Sequence, residues 1–128
     1  MPYLRMVVKL KADSGVDAIV DGRIYPIERT PASALPAIVY TVLSDIPSND
    51  ANGTTSTKEM RIEVISLATT YPAARALAAA VETALSGWND SSGSVWHLDS
   101  SMDTPGEVSA GEEIIAYHGV TQEYVIWY

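Results

Sequence analysis

The chain contains no cysteine and no phenylalanine, and it has only eight lysines and arginines against sixteen aspartates and glutamates. Without cysteine there is no disulfide, no zinc–thiolate site and no cysteine nucleophile. Without phenylalanine, three tryptophans and seven tyrosines must supply every aromatic anchor in core or interface. The net charge of −8 argues against a nucleic-acid binder held by phosphate contacts, which need clustered Lys and Arg. No apolar run approaches the roughly 20 residues of a membrane-spanning helix. Met1 to Lys11 is broken by charge at Arg5 and Lys9, so it reads as neither a signal peptide nor a transit peptide.

What is present fits one domain, residues 1–128. Residues 3–13 read as a short amphipathic helix, with Leu4, Val7, Val8 and Lys11 at i, i+3, i+4 and i+7. Ser14-Gly15 reads as its stop, with Gly15 suited to a left-handed terminal position. Residues 16–20 form a further helical turn, and Arg23 to Ile27 a short extended piece ended by Pro26. Ala37 to Ile46 alternates with apolar residues on both faces, as a central strand does. Ser48 to Thr57 is a polar loop holding the hairpin signal Asn52-Gly53. Lys58 to Thr69 puts Met60, Ile62 and Val64 on one face and Arg61 and Glu63 on the other, with a slip at Ile65 that suggests a bulge.

Residues 71–86 are the clearest helix. Ala74, Leu77, Ala78, Val81 and Leu85 recur at helical spacing, Thr70 is placed to cap, Pro72 sits in the first turn, and Gly87 ends the run. Ser94 to Ser101 reads as a strand, Met102 to Gly111 as a polar loop, and Ile114 to Tyr128 as a terminal strand whose apolar face is interrupted by Gln122. The expected fold is α+β: an antiparallel or mixed sheet of about four strands with two helices packed on one face, in the order α-β-β-α-β-β.

The chain offers little chemistry. His97 and His118 lie on strands expected to be neighbours, so with a carboxylate such as Asp99 or Asp103 they could serve a small metal-dependent hydrolase, although their spacing matches no metal motif. Glu112-Glu113 would point to opposite faces of a strand, which suits a solvated turn better than acid–base work. There is no Gly-x-Ser-x-Gly elbow, P-loop or Gly-x-Gly-x-x-Gly.

An ordered set of segments does carry a resemblance. Gly22-Arg23-Ile24-Tyr25-Pro26-Ile27 follows the N-terminal helix, and then come Pro36-Ala37-Ile38-Val39-Tyr40 and Ser44-Asp45. Arg61-Ile62-Glu63-Val64 leads to Thr70-Tyr71 and the helix from Ala74 to Val81, and Tyr124-Val125-Ile126-Trp127-Tyr128 closes the set. Together these resemble the tail completion or tail terminator proteins of long-tailed bacteriophages, the tail-to-head joining family. The resemblance implies a non-enzymatic virion protein without cofactor. Made in the host bacterial cytoplasm, it would form a ring, typically a hexamer, at the head-tail junction. It would end tube polymerisation there and meet the major tail tube protein on one side and a head-completion or connector protein on the other. A head-side neck protein is the alternative within the same class. DNA would pass through without specific binding, and no membrane is involved. The long polar stretch from Asp103 to Gly111 departs from the family pattern.

Three sets of residues are candidates for that role. Tyr124, Trp127 and Tyr128 would form a subunit or tube contact on an edge strand. Asn49, Asp50, Asn52 and Gly53 would form a mobile assembly loop. Asp45, Asp50, Glu59 and Glu63 would line an acidic lumen that repels DNA phosphates.

Overall fold

Eight elements follow one another in the computed structural model, which describes residues 2–26, 35–51, 53–89, 95–110 and 113–127. They are α1 (Pro2–Ala12), α2 (Ser14–Val20), β1 (Ile24–Pro26), β2 (Ala37–Asp50), β3 (Gly53–Ala68), α3 (Tyr71–Leu85), β4 (Val95–Ala110) and β5 (Glu113–Trp127). The strands form one sheet in the order β1-β2-β3-β5-β4. β1 runs parallel to β2, and the other pairs are antiparallel. The α+β class and the helix layer on one face match expectation, while the counts become five strands and three helices. The difference lies in the short pieces. Ile24 to Pro26 is a true edge strand paired with Ile38 to Tyr40, and residues 14–20 are a separate helix.

Local chemistry explains these boundaries. Asp13 caps α2, its side chain accepting from Val16 N–H at 3.0 Å, so Gly15 is a helix residue rather than a stop. Asp21 and Gly22 close α2 in the left-handed region, at φ 47° and 75°. Arg23 then ties the junction together. Its Nε donates to Pro36 O at 2.8 Å and its guanidinium to Ile19 O at 3.3 Å, linking the end of α2 to the start of β2. α3 begins as expected, with Thr70 Oγ1 accepting from Ala73 N–H at 3.3 Å and Pro72 in the first turn, and Gly87 follows its end at φ 74°.

The core lies between the helices and one sheet face. Met60, Ile62 and Val64 of β3, Tyr124 and Ile126 of β5 and Trp96 of β4 are buried against Met6, Leu10, Val20, Leu77, Val81 and Leu85. Each such large apolar side chain contributes about 1.5–3 kcal/mol by leaving water. Trp96 is the aromatic centre, 5.6 Å from Trp88 and 6.4 Å from Tyr124. Gln122, the polar interruption of β5, is 1% exposed and fully used: its Nε2 donates to Ala78 O of α3 at 3.1 Å, and its Oε1 accepts from Tyr124 Oη at 3.2 Å. Both bonds are needed at that depth, since an unpaired buried amide is costly.

Five sequence expectations are corrected. The loop from Ser48 to Thr57 is instead ladder up to Asp50↔Gly53, and that from Met102 to Gly111 is ladder up to Ala110↔Glu113. Period-2 alternation marks a strand only where one face meets a core, and these stretches lie where each hairpin pairs only with itself. No bulge occurs at Ile65; an extra residue is inserted at Leu43 of β2 and Asp99 of β4, and a third irregularity between Pro47 and Asn49 leaves the surplus residues on the β3 side. The terminal strand is not an edge: β5 lies between β3 and β4. Finally, α1 buries Pro2, Met6 and Leu10, leaving the Leu4–Val8–Lys11 stripe outside. The helix carries two apolar stripes, and the one holding Met6 and Leu10 reaches the core.

Replacing Thr70 with Ala should lower stability by about 1 kcal/mol through loss of the cap. Urea unfolding checks this: the midpoint falls while the slope stays that of the parent chain.

Candidate functional site

Register assigns every strand residue to a face. Gln122, Tyr124 and Ile126 point to the helices, so Thr121, Glu123, Val125 and Trp127 share the opposite, open face with their partners Ile65, Glu63, Arg61 and Glu59, although Val125 in its middle is itself buried. None of the described helices packs on that face. His97 and Met102 of β4 join it, opposite Val125 and Thr121.

Its polar centre is Arg61. The guanidinium donates to Glu123 Oε1 at 2.7 Å, Asp99 Oδ2 at 3.1 Å and Glu59 Oε1 at 3.2 Å, bridging three strands. The bonds to Glu123 and then Asp99 hold Arg61 above its ordinary pKa. Asp99 reaches it because the bulge between Leu98 and Ser100 inserts an extra residue there. Glu63 stands directly across from Glu123, a like-charge pair that is unfavourable by itself. Four carboxylates thus surround one guanidinium, and the face is acidic in excess.

The predicted contact residues separate. Trp127 is 46% exposed, with its ring 5.4 Å from His97, and is available as an anchor. Tyr124 is fully buried and hydrogen-bonded to Gln122, so it is core rather than contact. Tyr128 lies outside the described residues. Of the expected assembly loop, Asn49 pairs with Thr54 and Asp50 with Gly53, while Asn52 lies outside the described residues. The acidic set is split. Glu59 and Glu63 share the open face, but Asp45 pairs with Met60 and points to the helix side; the side chain of Asp50 lies outside the description. The cause is the irregularity at Leu43, which shifts the alternation of β2 by one residue.

The metal reading fails on geometry. His97 is on the open face against Trp127, whereas His118 is on the helix side, 6.2 Å from the Tyr71 ring. The two imidazoles are separated by the sheet, and among the described residues no cluster of metal-ligating side chains occurs. The side chains of Glu112 and Glu113 lie outside the description.

Three surfaces escaped the sequence reading. The Arg61 network needed cross-strand register to assemble, although Arg61 and Glu63 were already visible on one face. The outer stripe of α1 was legible as an apolar pattern but assigned to the wrong side. A shallow apolar groove lined by Tyr3, Pro26, Tyr40, Thr41 and Val42 opens where β1 ends. Beyond it β2 has no described partner on that side, and Val42, Leu43 and Ile46 are exposed.

The two long hairpins complete the geometry. The β3–β5 ladder runs from Glu59↔Trp127 to Ala68↔His118. Past Trp127 only the β2–β3 hairpin continues; past Ala68 only the β4–β5 hairpin does. The hairpins therefore project from opposite ends of the sheet.

Comparison with known proteins agrees with an assembly role. The family described as tail completion protein gp17 matches residues 5–112. No curated protein matches the chain. Among solved structures, a chain of the "Virion of native gene transfer agent (GTA) particle" is similar at a TM-score of 0.60 and 19% identity, covering 95% of this chain and 90% of that one. At that identity the likeness speaks to the fold.

Burial, and then the Glu82 charge, push the Tyr124 phenol well above its ordinary value of 10.0. A raised folded-state pKa contributes fully below the unfolded value and is lost as pH rises past it, because the unfolded chain then releases a proton that the folded chain keeps. Stability should therefore fall more steeply above about pH 10 in the parent chain than in Tyr124→Phe, by up to about 1.4 kcal/mol per pH unit. Denaturant unfolding at a series of alkaline pH values reads this difference in slope.

Proposed function

The chain belongs to the tail completion protein gp17 family, whose members are structural and not enzymes, and from that membership we propose that identical copies form a ring closing the head-proximal end of a phage tail tube. The ring ends tube polymerisation and joins the tail to the head connector. The observation that carries this reading is the family match over residues 5–112. The similar fold in a gene transfer agent virion is consistent with it.

The geometry supplies a physical rationale. A piece between tube and head must meet two different partners along one axis, and two hairpins projecting from opposite ends of one sheet suit that task. One hairpin meets the tail tube protein and the other the connector. Closure around the axis requires heterologous contacts between copies, in which two different patches of each subunit meet. Edge-to-edge strand pairing is a poor candidate for those contacts. The outer strands β2 and β4 carry bulges, and Asp45, Pro47 and Asp99 occupy them, devices that discourage pairing. The excess of sixteen acidic over eight basic residues disfavours phosphate contacts, so DNA passes without being held.

Deleting the gene from a phage that encodes this protein tests the reading by electron microscopy of lysates. Overlong tails without heads, alongside filled heads without tails, are the expected result. Tails of normal length that fail to join would contradict tube termination and favour a neck protein placed on the head side.

A further inference from the structure

α1 presents an apolar stripe to solvent although its opposite face is already in the core. Leu4 is 53% and Val8 68% exposed, and Lys11 continues the same stripe one turn on. A helix apolar on two sides fits burial between two partners better than a surface position. The helix contains Arg5, Lys9 and Lys11 and no acidic residue, in a chain of net charge −8.

A surface of opposite character exists on the far side of the same molecule. On the open sheet face, Trp127 is 46% exposed, and four residues away along β5 lies the Glu63–Glu123 pair. From Trp127 to Glu123 is about 13 Å at strand rise. From Leu4 to Lys11 is about 10 Å at helix rise. Each stripe has an apolar end and a charged end, and the charges are opposite in sign.

We propose that the outer stripe of α1 in one copy docks on the open sheet face of the next, with Leu4 and Val8 against Trp127 and Lys11 against Glu63 and Glu123. The occupant of each surface is thus a second copy of this chain. The proposal rests on the ring reading above and names the subunit contact within it. The two patches lie on opposite layers of the fold, so the contact is head-to-tail, and repetition closes a ring when the rotation per subunit divides a full turn. It also adds a second cation beside Glu63 and Glu123, which face each other across the ladder with Arg61 bonded to Glu123. The open face is then covered by a neighbour, so Glu59 and Glu63 do not line the lumen.

The absence of cysteine makes the contact directly testable. Lys11→Cys and Glu63→Cys are introduced singly and together in the full chain, and each variant is treated with a short bis-maleimide. The double variant should give a ladder of covalent oligomers ending at the subunit number of the ring, and each single variant no more than dimers. In parallel, light scattering should show Val8→Asp falling to monomer mass with unchanged far-UV circular dichroism. Lys11→Glu should weaken assembly, and adding Glu63→Lys should restore it. A parent chain that forms rings while Val8→Asp assembles equally well and the double-cysteine variant gives no ladder would overturn the contact and leave the ring reading standing. A parent chain that stays monomeric at all concentrations, and also in the presence of purified tail tubes, would overturn both.

Discussion

The uninterrupted antiparallel ladder between β3 and β5, ten pairs from Glu59↔Trp127 to Ala68↔His118, is the constraint on which the other features depend. Its register sends Met60, Ile62, Val64, Tyr124 and Ile126 to the helices and leaves Arg61, Glu63, Glu123 and Trp127 on the open face. A slip of one residue would exchange the two sets, placing carboxylates in the core and large apolar side chains in water. Two side chains pin that register chemically. Gln122 reaches α3 only from the helix side, and Arg61 can gather Glu59, Glu123 and Asp99 only on the open side. The first bond pair is buried, where losing a partner costs about 1–3 kcal/mol. The second is half-exposed and contributes less as energy than as organisation of the surface.

From that ladder the shape of the outer surfaces follows. The two strands are offset, so each extends past the other's end with its own hairpin partner, and the molecule acquires a reach in both directions along the sheet. The helices occupy one face, and α1 ends with a second apolar stripe turned away from the core. The domain is thus complete inside and unfinished outside, which suits a subunit that is stable alone and has surfaces left for neighbours. Among the described residues the ionic network gathers on an open face rather than in a cleft, and the two histidines are divided by the sheet.

Much of this was legible from residues. The Thr70 cap, Pro72, the apolar repeat from Ala74 to Leu85 and the stop at Gly87 specify α3 by local rules alone. The alternation Met60-Ile62-Val64 marks the core face of β3 because that face is buried along its length. The parts that were not legible share a cause. Pairing beyond the core leaves no periodic trace, so residues 48–57 and 102–111 read as loops. The irregularity at Leu43 reverses the side of Asp45 and depends on the partner strand, which sequence alone does not register. β5 reads as a terminal edge because chain order says nothing of the place it takes between β3 and β4. In α1 two stripes compete, and only the packed helix layer decides that Met6 and Leu10 face inward. The family resemblance was carried by the ordered set of segments, including Arg23, whose bonds to Pro36 and Ile19 tie the two proline-bearing segments together.

In the proposed role this fold bridges two partners along the tail axis. Cryo-electron microscopy of the head-proximal end of purified tails, at a resolution that traces strands, measures it most directly. The expected density is a ring of this domain with the β2–β3 and β4–β5 hairpins pointing to opposite sides of the ring plane, one against the tube and one toward the head. A density in which both hairpins face the same partner, or in which this domain is absent from the junction, would contradict it.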